Sequence, residues 1–217
     1  MANIYDRQLI VDGPRNTVVK LSGVLDTSDI GATGQIGASG FTTTIGSKVI
    51  TFVAGALVPL VGQYVTFSDG TTTFPTKTYI TSVDSATQVT VNNAALATNA
   101  AAAITITGAA GGLVIADPAV LVGWDNTGLL KAAKLSLLKV VFTVEDGLEV
   151  RLAWDATTPL TFDYLTGRTK TDYHDISGLP NNAGTGVNGR VLLSTQGWAS
   201  STTISFTVTC YFKKVQT

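Results

Sequence analysis

Apolar and polar residues alternate almost without interruption along the last segment of the chain. Ile204, Phe206, Val208, Cys210 and Phe212 share one phase, and Ser205, Thr207, Thr209, Tyr211 and Lys213 share the other. A two-residue period places successive side chains on opposite faces of an extended backbone, so this segment predicts a strand buried on one side. Further upstream, Leu138, Val140, Phe142 and Val144 lead to Glu145-Asp146-Gly147, after which the pattern restarts as Leu148, Val150, Leu152 and Trp154. Asp-Gly supplies the positive φ of a tight turn, and residues 134 to 155 predict a hairpin. Val19, Leu21, Gly23 and Leu25 predict another strand, preceded by a turn at Asp12-Gly13-Pro14-Arg15. The residues before that turn read as an extended arm, expected to be frayed or docked on a neighbour.

Thr127 to Lys134 is the one helix candidate, and it is too short to be stable by itself. Between Tyr173 and Val191, Pro180, Asn181, Asn182, Gly184, Gly186 and Gly189 predict a long loop that is either disordered or in contact with a partner. The middle of the chain alternates in shorter pieces, near residues 48 to 53, 63 to 68, 78 to 83, 87 to 91 and 103 to 107. Short strands at this spacing predict a small barrel or sandwich. Gly31, Gly34, Gly37 and Gly40 enter it, and Gly108, Ala109, Ala110, Gly111 and Gly112 leave it, so both ends read as flexible linkers.

Charge sharpens this division. Residues 31 to 112 hold four charged side chains, Lys48, Asp69, Lys77 and Asp84, while the other 25 of the 29 lie on the flanks. The expected organisation is therefore a discontinuous base domain, 1–30 plus 113–217, interrupted by an inserted module at 31–112 that projects from a loop tip. With 13% charged residues, about half the usual share, and a mean hydropathy of +0.30, the chain is expected to hide surface in an assembly. No cluster of Lys and Arg supports nucleic-acid binding, and no apolar run is long enough to span a membrane. The start, MANIYDRQ, lacks a basic region followed by an apolar run, so synthesis in a cytosol is expected. Cys210 is the single cysteine and falls in an apolar phase, which makes it a core residue.

Candidate chemistry is sparse. His174 is the single histidine, flanked by Asp172 and Asp175, and a general base oriented by a carboxylate is the functional reading. No Ser or Cys nucleophile motif accompanies it, so a surface role is expected. Glu145, Asp146 and Glu149 would suit a hard cation, but their spacing is not that of an EF-hand and a polar hairpin tip is the commoner cause of such a cluster. GATGQIGASG lacks the ordered glycines of a dinucleotide fingerprint and the lysine of a P-loop, and reads as linker. Trp124, Trp154 and Trp198 are candidates for stacking on a sugar. Of these, Trp154 lies in the apolar phase and is expected in the core, while Trp198 follows a turn. No catalytic, cofactor or metal site is expected, and the chain does not read as an enzyme. A glycan-active enzyme, the remaining catalytic class, would need a carboxylate pair such as Asp172 and Asp175 facing a cleft.

Taken together, the flanks resemble a family of tailed-bacteriophage virion structural proteins. The matching pieces are Tyr5-Asp6-Arg7, Asp12-Gly13-Pro14-Arg15-Asn16, the run Val18 to Asp29, Val144 to Val150, the Trp154 strand, Gly178-Leu179 with Asn181-Asn182-Ala183-Gly184, and Thr195-Gln196-Gly197-Trp198. The insert is similar to small β modules of phage fibres, through Gly62 to Thr66, Tyr79 to Val83 and Thr87 to Val91. The resemblance implies an all-β chain whose base is a jelly-roll-like β-sandwich. It implies a decoration or cement protein on the outer surface of the virion capsid. The partners expected are the major capsid protein, bound through the arm and long loop, and further copies of the chain, with a trimer favoured. Weak contact between the insert and a host-surface glycan belongs to the same expectation. The alternative is a tail or head-fibre adhesion protein.

Overall fold

In the computed structural model the chain is all-β, and the structure describes residues 3–31, 34–37, 40–53, 59–67, 73–102, 106–122, 134–200 and 202–215. The strands are β1 (Ile4–Asp12), β2 (Asn16–Leu25), β3 (Gly34–Gly37), β4 (Phe41–Thr43), β5 (Val49–Thr51), β6 (Gln63–Phe67), β7 (Ile80–Ser85), β8 (Gln88–Val91), β9 (Asn99–Ala102) and β10 (Ile106–Ala116). They continue as β11 (Lys134–Val144), β12 (Glu149–Trp154), β13 (Leu160–Leu165), β14 (Arg168–Asp172), β15 (Leu179–Pro180), β16 (Val191–Gln196) and β17 (Ile204–Val215), with one 3-10 turn at His174–Ile176. Two compact units result. A base contains residues 3–29 and 115–217, and an insert contains residues 30–114.

The base is a β-sandwich. Its first sheet runs β1-β2-β17-β11-β14, with the short β15 also on β11; its second runs β13-β12-β16 and continues onto β10. The alternation in β17 sets the first sheet's buried face. Val208 stands between Leu21 and Phe142, and Cys210 between Val19 and Val140, and these six side chains are all buried. In the second sheet Leu152 pairs with Leu193 and Trp154 with Val191, all fully buried. Trp154 stacks on Phe162 at 4.0 Å between ring centroids.

Two expectations for the base change. The extended arm is not frayed: it is β1, paired antiparallel with β2 from Ile4↔Val24 to Asp12↔Thr17, with the turn closed by the Gly13 amide donating to the Asn16 carbonyl at 3.0 Å. Residues 134 to 155 are not a hairpin. Their turn forms, with Gly147 at φ 91° and the Leu148 amide donating to the Glu145 carbonyl, but β11 pairs with β14, β15 and β17 while β12 pairs with β13 and β16. The connection passes from one sheet to the other. Both strands carry the same inward phase in either arrangement, so alternation alone does not separate the two.

The insert has a five-stranded sheet, β7-β8-β5-β4-β9, and β6 and β3 each pair with β10. Its core gathers Phe41, Ile50, Phe67, Phe74, Ile80, Val89 and Val91. Phe67 stacks on Phe74 at 4.9 Å between centroids. The alternating runs near 48 to 53, 63 to 68, 78 to 83 and 87 to 91 are β5 to β8. Of the fifth, residues 103–105 lie outside the described residues and Ile106 opens β10. The expected exit linker, Gly108 to Gly112, is the interior of β10, and Gly34 and Gly37 belong to β3. Glycine and alanine carry no hydropathy phase, and the backbone pairing that makes them strand leaves no trace in side-chain pattern. The helix candidate Thr127 to Lys134 lies outside the described residues except for Lys134, which opens β11.

Candidate interaction surfaces

Polar contacts fasten together the connections at one end of the base. Asp29, just beyond β2, accepts hydrogen bonds from the Thr195 hydroxyl at 2.9 Å and from the Gly197 and Trp198 amides at 3.2 and 3.3 Å. Asp26 accepts from the Thr203 hydroxyl at 2.8 Å. Glu145, in the β11–β12 turn, accepts from the Ser205 amide and hydroxyl at 2.7 and 2.8 Å, and these bonds, with the Arg168 charge, hold its carboxyl below the usual range. The Val144 amide donates to the Gly167 carbonyl in the β13–β14 turn. Gly197, at φ 109°, is required here, because a Cβ would stand 2.3 Å from the Gly147 carbonyl oxygen.

The same pinning occupies the carboxylates of the β11–β12 turn. Glu145 is engaged by Ser205, and Glu149 pairs with Arg151 at 2.5 Å, so two of the three turn carboxylates have protein partners. The described residues contain no group of three His, Cys, Asp or Glu side chains arranged around a common point. A shallow cavity of about 390 Å³ lies over this turn, lined by Glu145 to Glu149, Thr166 and Gly167. Trp198 is half-buried and donates its indole N–H to the Thr202 carbonyl at 3.0 Å. Trp154 is in the core, and Trp124 lies outside the described residues.

His174 stands on the surface in the 3-10 turn, its Nδ1 2.5 Å from Asp172 Oδ1, with both side chains about half exposed (56% and 47%). Hydrogen bonds from the His174 ring and amide hold the Asp172 carboxyl low. Asp175 is exposed beside them. Between these residues and the sandwich lies a contact that the alternation does not single out: the Tyr173 hydroxyl donates to Asp163 at 3.0 Å. Burial pushes the Asp163 carboxyl up, and burial beside that carboxylate pushes the Tyr173 hydroxyl up to about 12. Cys210 is fully buried, and desolvation pushes its thiol up, away from reactivity at neutral pH.

At the other end, Lys214 is fully buried and its ammonium donates to Asp12 Oδ1 at 2.5 Å, to the Gly13 carbonyl at 2.7 Å and to the Val122 carbonyl at 2.9 Å. One cation thus ties the β1–β2 turn, the segment after β10 and the last strand. The long loop is held too. Asn188 donates to Asp155, the Thr157 amide donates to the Thr185 carbonyl, and Arg190 pairs with Asp117 at 2.8 Å, with 16% and 4% of those side chains exposed. The loop is ordered by its own contacts.

Among the described residues of the base, β1 carries a run of three consecutive exposed apolar side chains. Leu9, Ile10 and Val11 are 44%, 54% and 45% exposed, at a register shift between Leu9 and Val11. Among the described residues β1 pairs only with β2, so its outer edge is open. Val120 and Val122 are exposed on the segment that Asp12 anchors, through the Val122 amide at 2.8 Å. A bulge turns these three consecutive apolar residues outward on an edge, the geometry proteins usually blunt with charge. Comparison of the chain with protein-family models, curated proteins and solved structures finds no match.

Proposed function

We propose that this chain is a structural protein of a tailed-bacteriophage virion, a decoration protein seated on the outer surface of the capsid. The observation that carries the reading is the strand order of the base. Successive strands of the base cross between sheets at β2/β10, β10/β11, β11/β12, β13/β14, β15/β16 and β16/β17, giving the orders β2-β17-β11-β14 and β10-β16-β12-β13. That interleaving supports reading the sandwich as jelly-roll-like, an architecture common in viral shells and lectins. Fold alone does not carry function, and two further features support the choice. The chain is poor in charge, and it presents an apolar patch on an open edge strand, as an interface residue set does before assembly. Leu9, Ile10 and Val11 are the residues that meet the major capsid protein or a neighbouring copy in this reading, and many equal copies supply avidity over the lattice.

A second reading keeps the virion but makes the chain a tail or head-fibre adhesin. It draws on the insert, which has its own aromatic core and its own compact unit, as a separable recognition module would. The test is binding of the purified chain to phage particles stripped of it. Saturable binding that Ile10→Asp weakens at least tenfold is the expected outcome. Undiminished binding by that variant, or binding that the isolated capsid lattice does not compete, overturns the decoration reading.

A further inference from the structure

A second cavity, of about 400 Å³, opens between the paired ends of β11 and β17 and the turn that carries Ser177 and Gly178 into β15. Its floor follows from register. Ser136 stands opposite Lys213 and Lys134 opposite Val215, which places the two lysines at diagonal positions on one face of the sheet. Both lysines line the cavity, together with Ser136, Ser177, Asn181 and Ile176, and no acidic residue does. Neither Lys134 nor Lys213 has an ion pair among the described residues. Asn181 is 93% buried by its 7% exposure, its Oδ1 accepts from the Ala183 amide at 3.2 Å, and its Nδ2 is buried with no acceptor. The shape of the roof is fixed: Ser177 holds a left-handed conformation at φ 62°, and a Cβ on Gly178 would stand 2.5 Å from Ser136 Oγ.

Two ammonium groups without an ion pair among the described residues, the Ser177 hydroxyl and an apolar wall at Ile176 define a complementary ligand. We propose that this cavity binds a carboxylate borne on a short apolar stem. The lysines act as point charges on the carboxylate, and the stem covers Ile176, which is 63% exposed without it. The carboxylate can come from a small organic acid or from an acidic side chain of a protein partner. Either source leaves the chemistry of the pocket the same. Particle binding and occupation of this cavity are separable, so failure of the virion reading does not decide this one.

The test uses the full chain, followed by the amide resonances of Ser177, Gly178 and Asn181. The probes are butyrate, its uncharged analogue butyramide, and the capped peptide acetyl-Leu-Glu-Leu-amide. Butyrate is expected to shift those resonances saturably, with butyramide at least tenfold weaker. Lys134→Gln with Lys213→Gln is expected to weaken butyrate at least tenfold, while Lys134→Arg with Lys213→Arg keeps it within about threefold, separating lost charge from lost fold. A peptide tighter than butyrate points to a partner's side chain, and a peptide weaker than butyrate to a small acid; both uphold the pocket. Equal response to butyrate and butyramide, or unchanged affinity in the double glutamine variant, overturns the proposal.

Discussion

Replacing Lys214 by methionine keeps the aliphatic stem and removes the ammonium that joins three segments of the base. The ammonium's partners are Asp12 at 2.5 Å and the Gly13 and Val122 carbonyls at 2.7 and 2.9 Å. The Lys214 side chain is 0% exposed and that of Asp12 15%, so the surface-pair value of at most about 1 kcal/mol does not apply. Removing one partner of a buried pair leaves the other charge stranded, at a cost of about 3–5 kcal/mol. A stability of 5–15 kcal/mol is ordinary, so the loss is a large fraction of the whole. With a urea slope of about 2–3 kcal/mol/M, the midpoint falls by roughly 1–2 M. Tryptophan fluorescence is the assay, because Trp154 and Trp198 lie in the base and the insert, residues 30–114, contains no tryptophan. Asp12→Ala in the methionine background removes the stranded carboxylate, so the double variant is expected to lose about 1–3 kcal/mol less than the sum of the singles. A Lys214→Met loss below about 1 kcal/mol, or strict additivity, refutes the account of this lysine as a buried clamp.

Other outcomes follow from the same geometry. Glu145→Gln removes a carboxylate that Ser205 holds low; that stabilisation is present above the ordinary carboxyl range and is lost as pH falls through the lowered value. The fluorescence-detected difference between wild type and Glu145→Gln is therefore expected at pH 7 and to shrink below about pH 4. Asp163 has the opposite sign, since burial raises its carboxyl: Asp163→Asn is expected to gain stability relative to wild type as pH rises from 3 to 7, and a pH-independent difference would count against it. In the insert, Phe74 is 0% exposed against Phe67, so Phe74→Ala is expected to cost about 3–5 kcal/mol, read from hydrogen exchange of β5 and β8. Gly62→Ala places a Cβ 2.4 Å from the Val114 carbonyl oxygen at φ 86°, and the same exchange measurement is expected to show a loss of at least about 1–2 kcal/mol.

Strand identity was legible wherever one face is buried. The even residues of β17 from Phe206 to Phe212 are buried as their phase requires. The same phase continues to Lys214, and a lysine on the core side of a clean alternation is the signal by which the clamp could have been found. Pairing was less legible. Asp146-Gly147 marks a turn, but whether the chain turns back within a sheet or crosses to the other depends on partners distant in sequence, β17 and β16, which local pattern does not name. Gly108 to Gly112 depart from the linker expectation for a different reason: a backbone ladder needs no side chains. The Leu9-Ile10-Val11 patch was hidden because hydropathy encodes apolar character, not the bulge that turns it outward. The carboxylate cavity depends on a register and on a loop of tertiary origin, and Lys134 and Lys213, far apart in the chain, carry no motif.

The central claim is that this sandwich decorates a capsid, and the number of its copies per purified virion, measured by quantitative mass spectrometry against the major capsid protein, tests it most directly. A decoration protein is expected at hundreds of copies in a simple ratio to the shell protein. A count of a few to several tens contradicts that claim, places the chain in a tail or fibre, and makes the insert the surface to test for host contact.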